Sequence, residues 1–285
     1  MSNIPAHFGF WHRLGARLLQ TSSWLVLLFL IMPILVIVPL SFNIEPFFSF
    51  TEGMLTFQPE AYSLRWYYAI FNDPKWILAI QNSFFIGICA TLIATVLGTC
   101  AAVGLARDDM PMRRLITAVL LSPMIVPLII TAAGMFFFYA DLGLAGSYLG
   151  VILAHAALGT PFVIITVTAT LTGFDYALAR AALNLGARPI QVFFDIIMPL
   201  IRPGVISGAL FAFITSFDEV VVILFMAGPQ QRTIPRQMFS GLREQINPSI
   251  LAIATFLILV SIALLVTIEL LRRRAERMRG IELVE

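Results

Sequence analysis

Long apolar runs separated by short charged or proline-marked segments set the pattern of this chain. The runs cover residues 24–42, 83–106, 115–140, 150–171, 204–227 and 250–271. Each is close to or above the ~20 residues that a helix needs to cross ~30 Å of hydrocarbon. Within lipid only helices and closed barrels satisfy their own backbone, and runs of this length are helical. The pattern therefore predicts an all-α membrane protein of about six transmembrane helices, with tails over 1–23 and 272–285 flanking a single membrane domain over 24–271. Pro33 and Pro39 bend the first run, Pro123 and Pro127 break the third, and Pro161 breaks the fourth. Gly87, Gly98 and Gly104 give the second run flat places where another helix comes close. The first run has no small-residue cleavage site and too long an apolar core for a secretory signal, so it reads as a retained helix. Residues 43–76 form an aromatic-rich connection, long enough for a small amphipathic element at the membrane surface.

The loop over 173–203 is different. It is the longest water-compatible run between two apolar segments, yet it carries two helical patterns separated by a stop. Asp175 suits a helix cap, and Gly186 suits a left-handed helix end. Between them Leu178, Ala181, Ala182 and Leu185 recur at helical spacing on one face. Pro189 then opens a second helix in which Ile190, Phe193, Phe194 and Ile197 repeat the spacing, until Pro199 and Pro203 interrupt it. Two short amphipathic helices with apolar faces outside the membrane call for a protein partner.

Composition supports a membrane setting: 285 residues, 59% hydrophobic, 12% charged and a mean hydropathy of +0.92 are too apolar for an ordinary soluble domain. A net charge of only +2 does not indicate nucleic acid. Charge placement sets the orientation. With both termini cytoplasmic, the inner segments hold Arg13, Arg17, Arg107, Arg113, Arg114, Arg180, Arg188, Arg202 and five arginines of the tail. The outer segments hold only Arg65, Lys75, Arg232, Arg236 and Arg243, so the positive-inside rule puts the two-helix loop in the cytoplasm. Cys89 and Cys100 lie on one run, roughly 16 Å apart along a helix, beyond disulfide reach, and read as packing residues.

No chemistry is expected within the chain itself. Its single lysine, Lys75, belongs to no phosphate-binding loop, and His7, His12 and His155 form no metal cluster. His155 reads as a hydrogen-bonded residue between helices. An ion-coupled secondary transporter is an alternative, but no internal repeat supports it. Six crossings with a docking loop point to transport driven from outside the subunit.

At this loop the chain resembles the membrane subunits of bacterial ABC importers, in particular the spermidine/putrescine class of permeases. The docking pattern of such permeases, E-A-A, a following glycine and an Ile-x-x-Pro-like ending, is carried here by Ala181, Ala182, Leu185, Gly186, Ala187, Ile196, Pro199 and Leu200. The likeness continues through Phe211 to Pro229, and includes Asn247-Pro248, Arg65-Trp66-Tyr67 and Asn82-Ser83. It implies a type I importer bundle with a cytoplasmic coupling-helix loop, in which Arg180, Ala181, Ala182, Leu185, Gly186, Ala187 and Pro189 meet an ATPase. Arg180 stands where the pattern has its glutamate, which calls for an acidic partner or removes that contact. The resemblance further implies a bacterial inner-membrane location and three kinds of partner: a second permease subunit making a heterodimer, two copies of a cytoplasmic ATPase that bind ATP and Mg, and an external solute-binding protein. No cofactor is expected in this chain.

The remaining candidates lie along the fifth run. Asp218 and Glu219 fall about 21 Å along a helix that needs about 30 Å to cross. A carboxylate there costs on the order of 2.5–3.5 kcal/mol, so it faces a cavity or a partner. In the permeases this sequence resembles, an acidic pair holds the same place before a valine-rich run. Asp218, Glu219, Phe217 and Tyr139 are therefore pathway candidates for a cationic amine, the alternative for the acidic pair being an ion pair or helix cap. Met124 follows Ser122-Pro123 where polyamine permeases often have an acid, which leaves open another small solute such as an opine or amino-acid derivative. Arg232 and Arg236, against the charge rule in an outer connection, are candidates for docking the binding protein.

Overall fold

In the computed structural model, residues 10–107, 109–244 and 248–278 are described. His7, Asp108, Asn247 and the end of the carboxyl tail lie outside the described residues. The described chain is helical: α1 Phe10–Leu40, α2 Glu52–Leu55, α3 Arg65–Asn72, α4 Pro74–Leu105, α5 Arg113–Ile125, α6 Leu128–Asp141, α7 Tyr148–Thr172, α8 Tyr176–Asn184, α9 Pro189–Val192, α10 Met198–Phe217, α11 Val221–Met226, α12 Ile234–Glu244 and α13 Ser249–Met278. Five helical stretches are long and apolar enough to cross a membrane, and the bent pair α5 and α6 makes a sixth if counted as one crossing. Packing divides the described residues into two compact units, 10–70 with 248–258, and 71–244 with 259–278.

In the first unit, the segment after α1 is held by side chains that grip backbone. The Trp66 indole donates to the Asn43 carbonyl at 2.7 Å, and Arg65 donates to the Ile44 carbonyl at 2.9 Å while lying 4.3 Å over the Trp66 ring. The Ser41 and Tyr67 hydroxyls are 2.7 Å apart. Thus the Arg-Trp-Tyr triplet fastens α3 to the chain that leaves α1. Among the spans α1 is the most open, with 6% of its apolar window buried.

The second unit is built on α7, whose apolar window is 67% buried, between α4 and α10. Small residues let the three backbones approach. A Cβ added at Gly98 of α4 would lie 2.6 Å from Val163 Cβ and 3.1 Å from the Thr160 carbonyl of α7. One at Gly208 of α10 would lie 2.8 Å from Val163 Cα, and one at Gly159 of α7 would lie 3.0 Å from Ala212 Cβ. Lipid offers no hydrophobic drive for helix pairing, so contact of this closeness is what holds the block. His155 of α7 crosses it with a polar contact: its Nδ1 is 2.8 Å from Ser216 Oγ of α10. Cys89 is half-buried against the core, whereas Cys100 is exposed.

Two breaks depart from the simple runs. The third run folds as α5 and α6 meeting at 104°. Pro123 stays within α5, and the turn comes at Val126 (φ −71°, ψ 138°), the extended residue that Pro127 requires before it. In the loop over 173–203, Pro199 and Pro203 do not interrupt the second helix. From Pro189 it continues to Phe217, through a widened π-turn at Phe193–Ile197 directly ahead of Pro199. Such a turn re-routes carbonyls that a proline leaves without a donor.

The Gly98 contact makes a direct test. Gly98→Ala should cost about 1–3 kcal/mol by overpacking and lower the melting temperature of the purified protein in detergent. Gly104→Ala, whose Cβ would meet nothing within 4 Å, is the control and should melt unchanged. Equal melting of the two variants would contradict the packing described.

Candidate substrate pathway and docking surfaces

The fifth run does not cross as one helix. Helix α10 ends at Phe217, and α11 starts at Val221. The cause is Glu219, which is buried and whose Oε1 accepts from the Val222 N–H at 2.9 Å. In a continuous helix that N–H would go to the carbonyl of Asp218, so the side chain replaces a helical bond and starts a new helix. Asp218 follows directly on α10, its own N–H still bonded to Ile214 O at 3.0 Å, and its side chain is exposed. No arginine or lysine pairs with it among the described residues. The adjacent carboxylates therefore part: one turns inward onto backbone, one stays open.

The other pathway candidates are placed differently again. Phe217 is 4% exposed, its ring stacked 5.3 Å from Phe213 and edge-on 5.1 Å from Phe84 of α4. That position belongs to the packing of α10 on α4, away from the open Asp218 carboxylate. Tyr139, near the end of α6, is half-buried and packs against the core, with Phe138 5.5 Å away. Helix α6, which carries it, lies against α11.

At the opposite end of α11 the chain between 227 and 236 is tied down by polar side chains at the heads of α4 and α7. Asn82 Nδ2 donates to the carbonyls of Gln230 (2.7 Å) and Arg232 (2.9 Å). The Tyr148 hydroxyl lies 2.9 Å from Asn82 Oδ1 and 2.8 Å from the Gln230 carbonyl, and Ser83 Oγ accepts from the Ile234 N–H at 2.9 Å. Arg236 donates to the carbonyls of Ala227 (2.8 Å) and Gly228 (3.0 Å), and Arg232 donates to Gln237 Oε1 (2.9 Å). Both arginines, put forward for docking by their charge, are half-buried and turned onto the loop itself. Burial first, and the charge of Arg232 second, draw the Arg236 pKa below the ordinary arginine value.

The loop over 173–203 presents its apolar face outward. Asp175 Oδ1 caps α8 through the Ala177 N–H at 2.8 Å, and Gly186 ends it at φ +90°. Arg188 N–H donates to Gln191 Oε1 at 2.8 Å and starts α9. Ala179 and Val192 face inward and are buried. Arg180, Ala181, Leu185, Gly186 and Pro189 are exposed, and Ala182 and Ala187 are half-buried. Leu185 at 89% and Ile190 at 61% exposure leave a sizeable apolar surface with nothing from the described residues upon it.

The family model described as "Binding-protein-dependent transport system inner membrane component" matches residues 94–277, from the middle of α4 to the end of α13. The chain belongs to this family. It is a multi-pass inner-membrane permease subunit of a binding-protein-dependent importer. It is 31% identical over 251 residues to the spermidine/putrescine transport system permease protein PotC of Haemophilus influenzae, covering 88% of this chain and 95% of that one. It is 34% identical over 241 residues to the putrescine transport system permease protein PotI of Escherichia coli K12, covering 81% and 82%. Among solved structures it resembles a bacterial ABC transporter involved in the import of alginate, with a TM-score of 0.72 over 93% of this chain and 99% of that one, at 15% identity. That likeness speaks for the fold.

In this permease the anchorage of residues 227–236 is what sequence reasoning left without a role. Asn82 and Ser83 stood out only as part of a resemblance, and Tyr148 and Gln230 not at all. An amide and a hydroxyl side by side at the head of an apolar helix are the signal, since such groups need a partner when buried. Asn82→Ala should leave the Arg232 carbonyl without its donor and the Gln230 carbonyl with Tyr148 alone, at a cost of about 1–3 kcal/mol. Trypsin should then cut faster after Arg232 and Arg236 in the purified permease. Unchanged cleavage would contradict the anchoring role.

Proposed function

We propose that this permease forms half of the translocation pathway for a small cationic amine of the polyamine kind, with Asp218 as the carboxylate that meets it. The observation that carries the reading is the open, unpaired Asp218 side chain at a break in a membrane-crossing helix. A charge within an apolar membrane run, costing on the order of 2.5–3.5 kcal/mol at its centre, is kept where a route or a partner needs it. The polyamine permeases to which the chain is similar support the solute class.

An external binding protein delivers the solute, and a second permease subunit of different sequence completes the path. Of two copies of a cytoplasmic ATPase, which hold the ATP and Mg, one seats on the exposed apolar face of α8 and α9 around Ala181, Leu185 and Ile190. Hydrolysis belongs to that partner and not to this chain. The arginine distribution supports cytoplasmic termini and a cytoplasmic α8. Force on α8 passes along the continuous Pro189–Phe217 helix, so that α10 tilts and the environment of Asp218 changes between outward and inward states. Arg180, exposed on α8, takes an acidic residue of the ATPase where the family pattern has the opposite charge.

A second reading rests on Met124, an exposed apolar residue beside the α5 to α6 bend where polyamine permeases often carry an acid. It favours a solute with a single cationic centre, such as an opine or amino-acid derivative.

Asp218→Asn should reduce uptake more than about tenfold, on the scale of a lost charge pair, while the complex still assembles. Uptake of radiolabelled putrescine and of a singly charged amine, each with its binding protein, checks both readings. Normal uptake of every solute by the variant would remove the role of Asp218.

A further inference from the structure

We propose that Glu219 and Arg236 are positioning residues that clamp the two ends of α11, and that Glu219 serves the pathway through this contact and not through its charge. The proposal rests on the reading of Asp218 given above and says what holds that carboxylate in place.

Helix α11 has six residues, far too few to be stable alone. Three things fix it. Its inner face, Val222, Ile223 and Met226, is almost fully buried. Its first turn is bonded by the buried Glu219 carboxylate, through the Val222 N–H. Its far end is gripped by Arg236, which donates to the carbonyls of Ala227 and Gly228, while the Met226 carbonyl accepts from the Gly146 N–H at 2.8 Å. Arg236 belongs to α12, so one guanidinium joins the outer helix to the end of the rod that starts at the acidic pair.

The consequence for Asp218 is geometric. Without the Glu219 contact, the Val222 N–H would turn to the Asp218 carbonyl, and α10 would run on into α11 as one helix. The break would close, and the Asp218 side chain would leave the open position that the break creates. With the contact in place, α11 and the outer loop move as one body, and α10 hinges against them at residues 218–220. A state imposed on α12 from outside thus reaches the carboxylate through a rigid rod.

The test uses the full complex in proteoliposomes, with its binding protein, and compares Glu219→Gln, Glu219→Met, Arg236→Met and Asp218→Asn. The amide of Glu219→Gln still accepts the Val222 N–H, so uptake should stay within about twofold of wild type. Glu219→Met and Arg236→Met should each lower maximal uptake by about tenfold, the scale of a buried hydrogen bond lost. The concentration of loaded binding protein that half-saturates ATPase stimulation should not move in either.

Glu219→Gln falling as far as Asp218→Asn would show that Glu219 acts by charge, and would overturn the clamp while leaving Asp218 in its role. Wild-type uptake by Glu219→Met would also overturn it. A raised half-saturating concentration with unchanged maximal uptake in Arg236→Met would overturn the clamp at that end in favour of docking. If Glu219→Met fails to assemble, the Glu219→Gln result decides alone. Wild-type uptake by Asp218→Asn would overturn the reading of Asp218 on which the clamp's purpose rests.

Discussion

The close approach of α7 to α4 and α10 is the constraint on which the rest depends. At Gly98, Gly159 and Gly208 the backbones are so near that even one added methyl would meet a neighbour at 3.0 Å or less. In a bilayer, van der Waals contact of this kind substitutes for the hydrophobic effect that drives helix pairing in water. The three helices thereby form a block with no room for a charged side chain inside it. At the level of His155 and Ser216 the block closes with a hydrogen bond, and one residue further along the chain α10 stops.

The stop is where the carboxylates sit, and the two of them need different surroundings. A buried carboxylate needs donors, which the first turn of a new helix supplies to Glu219. An unpaired one needs an opening, which Asp218 has. A continuous helix would set neighbours about 100° apart and give both similar depth. The broken helix ties one residue to the scaffold and leaves the other open. The same economy recurs between residues 227 and 237, where Arg236 satisfies the Ala227 and Gly228 carbonyls and Arg232 the Gln237 side chain.

Much of this was legible in the sequence, and the reasons are particular. Runs of apolar residues made the helical membrane fold readable, because nothing else satisfies the backbone in lipid. Asp175 and Gly186 bounded α8 because a cap and a left-handed end have few alternatives. The acidic pair was visible because charge inside an apolar run is rare. Its division of labour was not, because both residues look alike until the partner of each is known, and the partner of Glu219 is a backbone N–H that any residue has. Phe217 looked like part of the path for its adjacency to Asp218, yet its ring turns to Phe84 and Phe213. Pro199 and Pro203 misled on the helix end, since a π-turn absorbs what would otherwise be a break.

The most direct test is accessibility along the end of α10. In a background with Cys89 and Cys100 replaced, single cysteines at positions 212, 217 and 218 would be exposed to a small, cationic, water-soluble thiol reagent in sealed vesicles. The account predicts rapid labelling at 218, slowed by loaded binding protein, and none at 212 or 217 until the protein is unfolded. Protection at 218 equal to that at 212, or labelling at 217 as fast as at 218, would contradict it.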